Sequence, residues 1–260
     1  MDRAGVRGVL VKCAMFRPAP RCLAGDSTSP KTWEAALTGR KAHALISDPP
    51  YCLLTRRRKD GEKRDPKDRK IDRGPVRRFE NVREFREFTK SWLQLAVKHL
   101  TDDAPIVLWM NLLGREPMTA VCRELGWSHV RGEFVWGKRT REGNSGEEIL
   151  RVVETALVFS RTPAPPKADG DAAIPWAAVA GYDDDGEATR WGSHPNHKPF
   201  GVIEPLLRTW SQPGQLVVDP FAGSGSIPAG AWKLGRDVAC MELEPDWAER
   251  VTARLDIGQG

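Results

Sequence analysis

No stretch of this chain approaches the ~20 consecutive apolar residues that a membrane-crossing helix needs, so nothing in it reads as a transmembrane segment. Cysteine is scarce and scattered. Cys13, Cys22, Cys52, Cys122 and Cys240 are odd in number and form no CxxC, which speaks against a zinc ribbon and for reduced thiols in a cytoplasm. His194 and His197 are spaced like a metal pair, but no third ligand stands near them, and no metal is expected. The first sixteen residues carry an apolar patch that is too short and too interrupted by charge for a signal peptide. What remains is an ordinary globular composition, with 40% hydrophobic and 29% charged residues. At 260 residues the chain is long enough for one domain with a large core.

The most informative stretch is Gln215 to Asp246. Leu216, Val217 and Val218 form the short apolar run of a buried parallel strand. It ends in Asp219-Pro220-Phe221, followed by Ala222-Gly223-Ser224-Gly225-Ser226. Two glycines two apart let the backbone turn sharply and let a ligand approach the main chain. Ile227 to Leu234 read as the following helix, Gly235 as its stop, and Asp237 to Met241 as a second strand with Glu242 just past its end. Strand, glycine loop, helix, strand and acid make a nucleotide-type pocket in which the acid takes ribose hydroxyls. Pro228 stands where a dinucleotide fingerprint needs its third glycine, and no Gly-Lys-Ser/Thr follows, so neither a nicotinamide site nor a P-loop fits.

Far upstream, the apolar strand Ala44 to Ser47 runs into Asp48-Pro49-Pro50-Tyr51. Two prolines donate no N–H, so this turn presents carbonyl oxygens, one carboxylate and one aromatic ring. Those groups suit a planar amine, whose hydrogens need acceptors and whose ring needs a stacking surface.

Taken together, these residues resemble the amino-methylating DNA methyltransferases that use S-adenosylmethionine, in their circularly permuted beta group. In that group the catalytic motif comes first and the cofactor loop last, as DPPY at 48–51 and FAGSG at 221–225 do here. His194-Pro195-Asn196-His197-Lys198-Pro199 resembles a third motif of the family. The resemblance implies a three-layer Rossmann-like α/β fold with a mostly parallel seven-stranded sheet. It makes Asp48, Pro49, Pro50 and Tyr51 catalytic. It gives the cofactor Asp219, Pro220, Phe221, Ala222, Gly223, Ser224, Gly225, Ser226, Glu242 and Leu243, together with His194, Lys198 and Pro199. Lys198 would be a cation near the cofactor's carboxylate. Asp26, in a Gly-Asp ahead of DPPY, would lie beside the cofactor, although Asp26-Ser27 could equally cap the helix that follows.

The reaction so implied moves a methyl group from S-adenosylmethionine to adenine N6. The target base must leave the duplex to be reached. It would stack on Tyr51 while the Asp48 carboxylate and the Pro49 carbonyl accept the amine hydrogens. The leading Asp of the motif leans toward adenine; cytosine N4 is the alternative, followed by an RNA base and by a dead pocket on a DNA-binding module. Double-stranded DNA is the implied partner, and a homodimer and a cognate restriction endonuclease are further partners compatible with the family. Such an enzyme would be bacterial or phage-encoded.

Residues 55–78 carry twelve Lys and Arg against five Asp and Glu, a net of +7. The whole chain carries only +5, so the basic surplus is one patch of the kind that binds and steers polyanions. It follows DPPY directly, which assigns Arg56, Arg57, Arg58, Lys59, Lys63, Arg64, Lys67, Arg69 and Lys70 to DNA contact. The expected plan is therefore one catalytic domain over 1–260, with a basic insert at 52–80, a short recognition-like segment at 161–193 and a cofactor-binding half at 194–260.

Elsewhere, Gly8 to Met15, Ile106 to Met110, Val130 to Trp136 and Val152 to Ser160 read as strands, and Phe79 to Leu100 and Met118 to Leu125 as helices. Trp136-Gly137-Lys138 and the segment around Glu154 resemble weaker family motifs across the base pocket. Arg161 to Gly192, rich in Pro, Ala, Asp and Gly, reads mostly as loop.

Overall fold

The computed structural model describes residues 19–55, 77–141, 148–163, 165–166, 168–170, 176–180, 186–191, 194 and 196–257. The Gly8 to Met15 strand and all nine basic residues named above lie outside them.

Among the described residues, eight strands form one sheet. In chain order they are β1 (Cys22–Ala24), β2 (Ala44–Ser47), β3 (Ile106–Met110), β4 (His129–Arg141), β5 (Glu148–Ser160), β6 (Trp176–Ala180), β7 (Leu216–Asp219) and β8 (Asp237–Glu242). Their order across the sheet is β1-β8-β7-β2-β3-β5-β4-β6. Neighbours from β1 through β3 are parallel; β5 runs antiparallel to both β3 and β4, and β6 is parallel to β4.

Among the described residues the expected count of seven is therefore corrected to eight. Six of the eight match strands read from the sequence, the seventh, Gly8 to Met15, lying outside the described residues; the two not read from it are β1, too short to show a period, and β6, which lies inside the stretch expected to be loop. Ala and Gly around Trp176–Ala180 masked it: the β6 segment WAAVA lacks the β-branched density that marks a strand.

Period-2 alternation builds the layers. Ile106, Leu108 and Met110 of β3 point to one core, with Leu45 of β2. Val107 and Trp109 point to the other, with Ala44 and Ile46. The first core is closed by α1 (Pro30–Leu37), α2 (Val82–Ala96) and α3 (Leu112–Glu124), through Trp33, Phe85, Trp92 and Val121 among others. The second is closed by α5 (Phe200–Trp210), α6 (Ser226–Lys233) and α7 (Pro245–Ile257), after a one-turn α4 (Glu187–Arg190). Burying each large apolar side chain stabilises by about 1.5–3 kcal/mol. The aromatics of α2 are accordingly core groups, Trp92 and Phe85 being fully buried.

Helix boundaries move at α2 and α3. α2 ends at Ala96 and continues as a 3₁₀ turn, Val97–His99. α3 begins at Leu112 rather than Met118, because Asn111 caps it: its side-chain oxygen accepts the Gly114 N–H at 2.9 Å. Pro117, which reads as a helix start, sits inside. α1 is preceded by Ser29 in extended conformation, and the Asp26 carboxylate instead accepts the Thr28 N–H at 2.8 Å, so Asp26 does not cap the helix.

The chain leaves β2 toward β3 on one side and leaves β7 toward β8 on the other. β2 and β7 are paired in parallel, with Ala44 opposite Val217 and Leu45 opposite Val218. Their carboxyl ends thus border the switch-point crevice where open α/β sheets bind ligands.

Candidate functional site

Asp48 and Asp219, 171 positions apart, stand at these two adjacent strand ends and line one pocket, together with Lys198, His194, Asn196 and the loop 221–227. A hydrogen bond joins the two strand ends directly: the Ser47 hydroxyl donates to Asp219 Oδ1 at 2.6 Å. The Phe221 N–H donates to the same oxygen at 3.1 Å. Asp219 Oδ2 is buried without a hydrogen-bond partner among the described residues. Burial pushes this carboxyl up to about 7, against its two donors, and the neighbouring charges of Asp48 and Glu242 push the same way.

The glycine loop has the geometry its sequence requires. Gly223 and Gly225 have φ of +53° and +78°. A Cβ on Gly223 would come within 3.0 Å of the His194 ring, and one on Gly225 within 3.1 Å of Val251. Phe221 turns away from the loop to pack edge-on against Trp92, with ring centroids 5.1 Å apart. Glu242 holds the loop rather than standing clear of it. Its Oε2 accepts the Gly223 N–H at 2.8 Å and its Oε1 the Glu244 N–H at 3.2 Å, which still leaves lone pairs for a further donor. Leu243 is exposed, and Pro220 is buried.

The segment 194–199 is clamped onto this loop. His197 Nδ1 lies 3.2 Å from the Ser224 hydroxyl and 3.1 Å from that of Ser226, which also accepts the Lys198 N–H at 3.3 Å. Pro199 is buried at the start of α5. His194 stacks edge-on against Trp247 at 4.6 Å; burial, with the charges of His197 and Lys198, lowers its imidazole to about 4 and keeps it neutral. Arg254 of α7 donates to the Ser224 carbonyl at 3.0 Å and pairs with Glu187. Asp26 is exposed just past β1, where the Gly25 N–H donates to the Glu242 carbonyl at 2.8 Å. It stands beside the β8 end and is not among the residues lining the pocket.

Lys198, expected near a cofactor carboxylate, is surrounded by acidic side chains of the chain itself. Its side chain is 2% exposed, and its ammonium pairs with Asp48 Oδ2 and, at 3.2 Å, with Glu154 Oε2. It also lies 3.5 Å from the Tyr51 hydroxyl and 4.9 Å above the Trp109 ring. Tyr51 donates to Glu154 Oε2 at 2.8 Å. Burial alone would lower this ammonium, but the two carboxylates outweigh it and hold it above its usual range. Burial raises Asp48, with Lys198 opposing and Glu154 adding to the rise; two carboxylates share one cation, and the surplus charge favours a proton. Burial and the same carboxylates raise the Tyr51 phenol, which stays a donor. Asp48 Oδ1 is buried and has no hydrogen-bond partner among the described residues.

The sequence pattern placed Glu154 only within a weak motif and did not reveal its pairing. The signal was available: one acid in the apolar run Val152 to Phe159 must be paired if that strand is buried. Asn196 and Ile227 also line the pocket without having been anticipated. Among the described residues no helix is long and apolar enough to cross a membrane.

Comparison with known proteins bears on the same residues. The sequence profile of the DNA methylase family N6_N4_Mtase matches residues 42–253, from just before β2 into α7. YubD of Escherichia coli K12 is 42% identical over 50 residues, which is 19% of this chain and 22% of YubD, so the match spans about a fifth of that relative. Three solved structures share the fold at low identity. M1.HpyAVI in complex with SAM has a TM-score of 0.64 and 15% identity, covering 91% of this chain and 98% of that one. The cytosine-N4-specific PvuII DNA methyltransferase has 0.61 and 18%, covering 89% and 84%. TTHA0409 of Thermus thermophilus, complexed with S-adenosyl-L-methionine, has 0.60 and 18%, covering 92% and 93%.

Proposed function

The chain belongs to the DNA methylase family, and from that premise we propose that it methylates adenine N6 of a base flipped out of duplex DNA, with S-adenosylmethionine as donor. The observation that carries this reading is Asp48 Oδ1, a buried acceptor with no partner among the described residues, in the same pocket as the glycine loop. Two solved structures of this fold are complexes with S-adenosylmethionine. The residues here suit that ligand. Gly223 and Gly225 open the main chain to it, Asp219 Oδ2 offers an acceptor for an ammonium, and Glu242 retains acceptor capacity for ribose hydroxyls. When bound, the cofactor supplies an electrophilic methyl group on a sulfonium.

The protein's own part concerns the amine. An aromatic amine is a poor nucleophile while its lone pair is delocalised into the ring. Asp48 Oδ1 and the Pro49 carbonyl accept its two hydrogens, which draws the nitrogen toward tetrahedral geometry and frees the lone pair. After the transfer the nitrogen carries one proton too many. That N–H bond breaks with its electron pair staying on nitrogen, and the proton goes to the Asp48 carboxylate. Tyr51, held by Glu154, offers its ring face to the base. Alignment of this kind can lower a barrier by about 7–11 kcal/mol. The acid at the head of the motif, rather than a serine, favours adenine.

The test is incubation with labelled cofactor and unmethylated DNA of mixed sequence, followed by digestion to nucleosides. N6-methyladenine is expected. Label in N4-methylcytosine would overturn the base assignment and keep the chemistry, and label in neither would overturn the reading.

A further inference from the structure

Resting on the reading of Asp48 as acceptor for the target amine, we propose that Lys198 and Glu154 are positioning residues for the catalytic loop, and that Lys198 is not the cation for the cofactor's carboxylate. The geometry rests on four elements converging at one ammonium. Asp48 comes from the end of β2, Glu154 from β5, Trp109 from β3, and Lys198 from the segment that leads into α5. An ammonium has three N–H donors. One is directed to Asp48 Oδ2 and one to Glu154 Oε2, and the third faces the Tyr51 hydroxyl and the Trp109 ring. A cofactor carboxylate could be met only by breaking one of these interactions inside a site where Lys198 is 2% exposed.

Two consequences follow for the reaction. With Oδ2 held by Lys198, Asp48 cannot rotate freely, and Oδ1 is the oxygen left for the amine. Asp48 must also be ionised to take the amine's hydrogens, and a carboxylate buried beside a second carboxylate ionises only if a cation balances the pair. Lys198 supplies the cation of the pair and opposes the rise that burial and Glu154 impose on Asp48. Glu154 does two things at once: it accepts the Tyr51 hydroxyl, fixing the ring against which the base stacks, and it places a negative charge opposite Asp48.

The two residues therefore act on Asp48 with opposite sign, which a merely structural role would not produce. The charged and titratable groups facing Asp48 are Lys198, Glu154 and Tyr51, with Asp219 across the strand boundary and His194 beside Lys198.

The experiment measures the pH profile of single-turnover methyl transfer at saturating cofactor, together with cofactor affinity by calorimetry, for the full chain and two variants. Lys198→Met should leave cofactor affinity unchanged, lower the transfer rate on the order of a hundredfold, and move the acid limb of the profile up by about one pH unit or more. Glu154→Gln preserves the shape and should move the acid limb down, since a like charge beside Asp48 is gone. If Lys198→Met does not fold, the direction of the Glu154→Gln shift still decides. Lost cofactor affinity with an unchanged rate at saturation in Lys198→Met would overturn the proposal, as would an unmoved or upward limb in Glu154→Gln. Transfer by neither variant nor the wild type on any DNA would instead overturn the functional reading on which the proposal rests.

Discussion

The ammonium of Lys198 lies against the carboxylate of Asp48, from which it is 150 positions away in sequence. This pairing fastens the Asp-Pro-Pro-Tyr turn to the segment that also grips the glycine loop through His197, Ser224 and Ser226. The Asp-Pro-Pro-Tyr turn and the glycine loop are therefore one hydrogen-bonded unit, assembled from the two halves of the chain. The order of motifs along the sequence is immaterial to this, because β2 and β7 are neighbours in the sheet.

The positive φ of Gly223 and its closeness to His194 make the loop intolerant of any side chain. An alanine there adopts the left-handed region at a cost of about 1–2 kcal/mol and presses its Cβ on the imidazole at 3.0 Å. Gly223→Ala should weaken cofactor binding roughly tenfold or more, which is about 1.4 kcal/mol, while the protein stays folded. Isothermal titration with S-adenosylmethionine checks this, and an unchanged dissociation constant would contradict it.

Asp219 predicts a pH dependence of cofactor binding. Its carboxyl sits at about 7 rather than in the ordinary carboxylate range, so below pH 7 it is largely neutral. On the proposed reading, the ammonium of the cofactor's methionine part is met by the ionised form. Affinity should rise as pH increases toward about 7, with a proton released on binding, and fall again where the cofactor's own α-amino group loses its proton, at about 8. Asp219→Asn should flatten that rise. A profile that falls over the range of that rise, or one that the variant leaves intact, would count against the assignment.

Much of this site was legible in the sequence because its motifs are local. A strand, a pair of glycines and a Pro-Pro turn each declare their backbone, and the parallel strands β2, β3, β7 and β8 fall within a residue of where their apolar runs place them. Helix starts were less legible. The cap at Asn111 is one polar residue ahead of two leucines, and Pro117 imitates a start five residues later. Least legible were the long-range polar pairings. Nothing local to Lys198 says that its partners are Asp48 and Glu154 rather than a ligand, since the three meet only when four elements fold together. The buried acid in β5 was the available clue, because an acid in an apolar strand has to find a cation.

The basic segment gives a prediction of another kind. Arg56, Arg57 and Arg58 follow the catalytic loop and carry three of the segment's positive charges. If they meet phosphates, Arg56→Gln, Arg57→Gln and Arg58→Gln combined should weaken DNA binding across all sequences. The slope of log affinity against log salt should then fall by roughly 0.9 for each phosphate that is no longer neutralised. Fluorescence anisotropy over a salt series measures it; an unaltered slope would place DNA elsewhere on the protein.

On the proposed reading, one carboxylate oxygen acts on the amine while the cofactor is held separately. Asp48→Ala tests it most directly, with cofactor affinity and single-turnover methyl transfer to DNA measured on the same preparation. Cofactor affinity should stay close to wild type and the transfer rate should fall by at least the order of a hundredfold. Transfer at the wild-type rate, or a loss of cofactor binding as large as the loss of transfer, would contradict it.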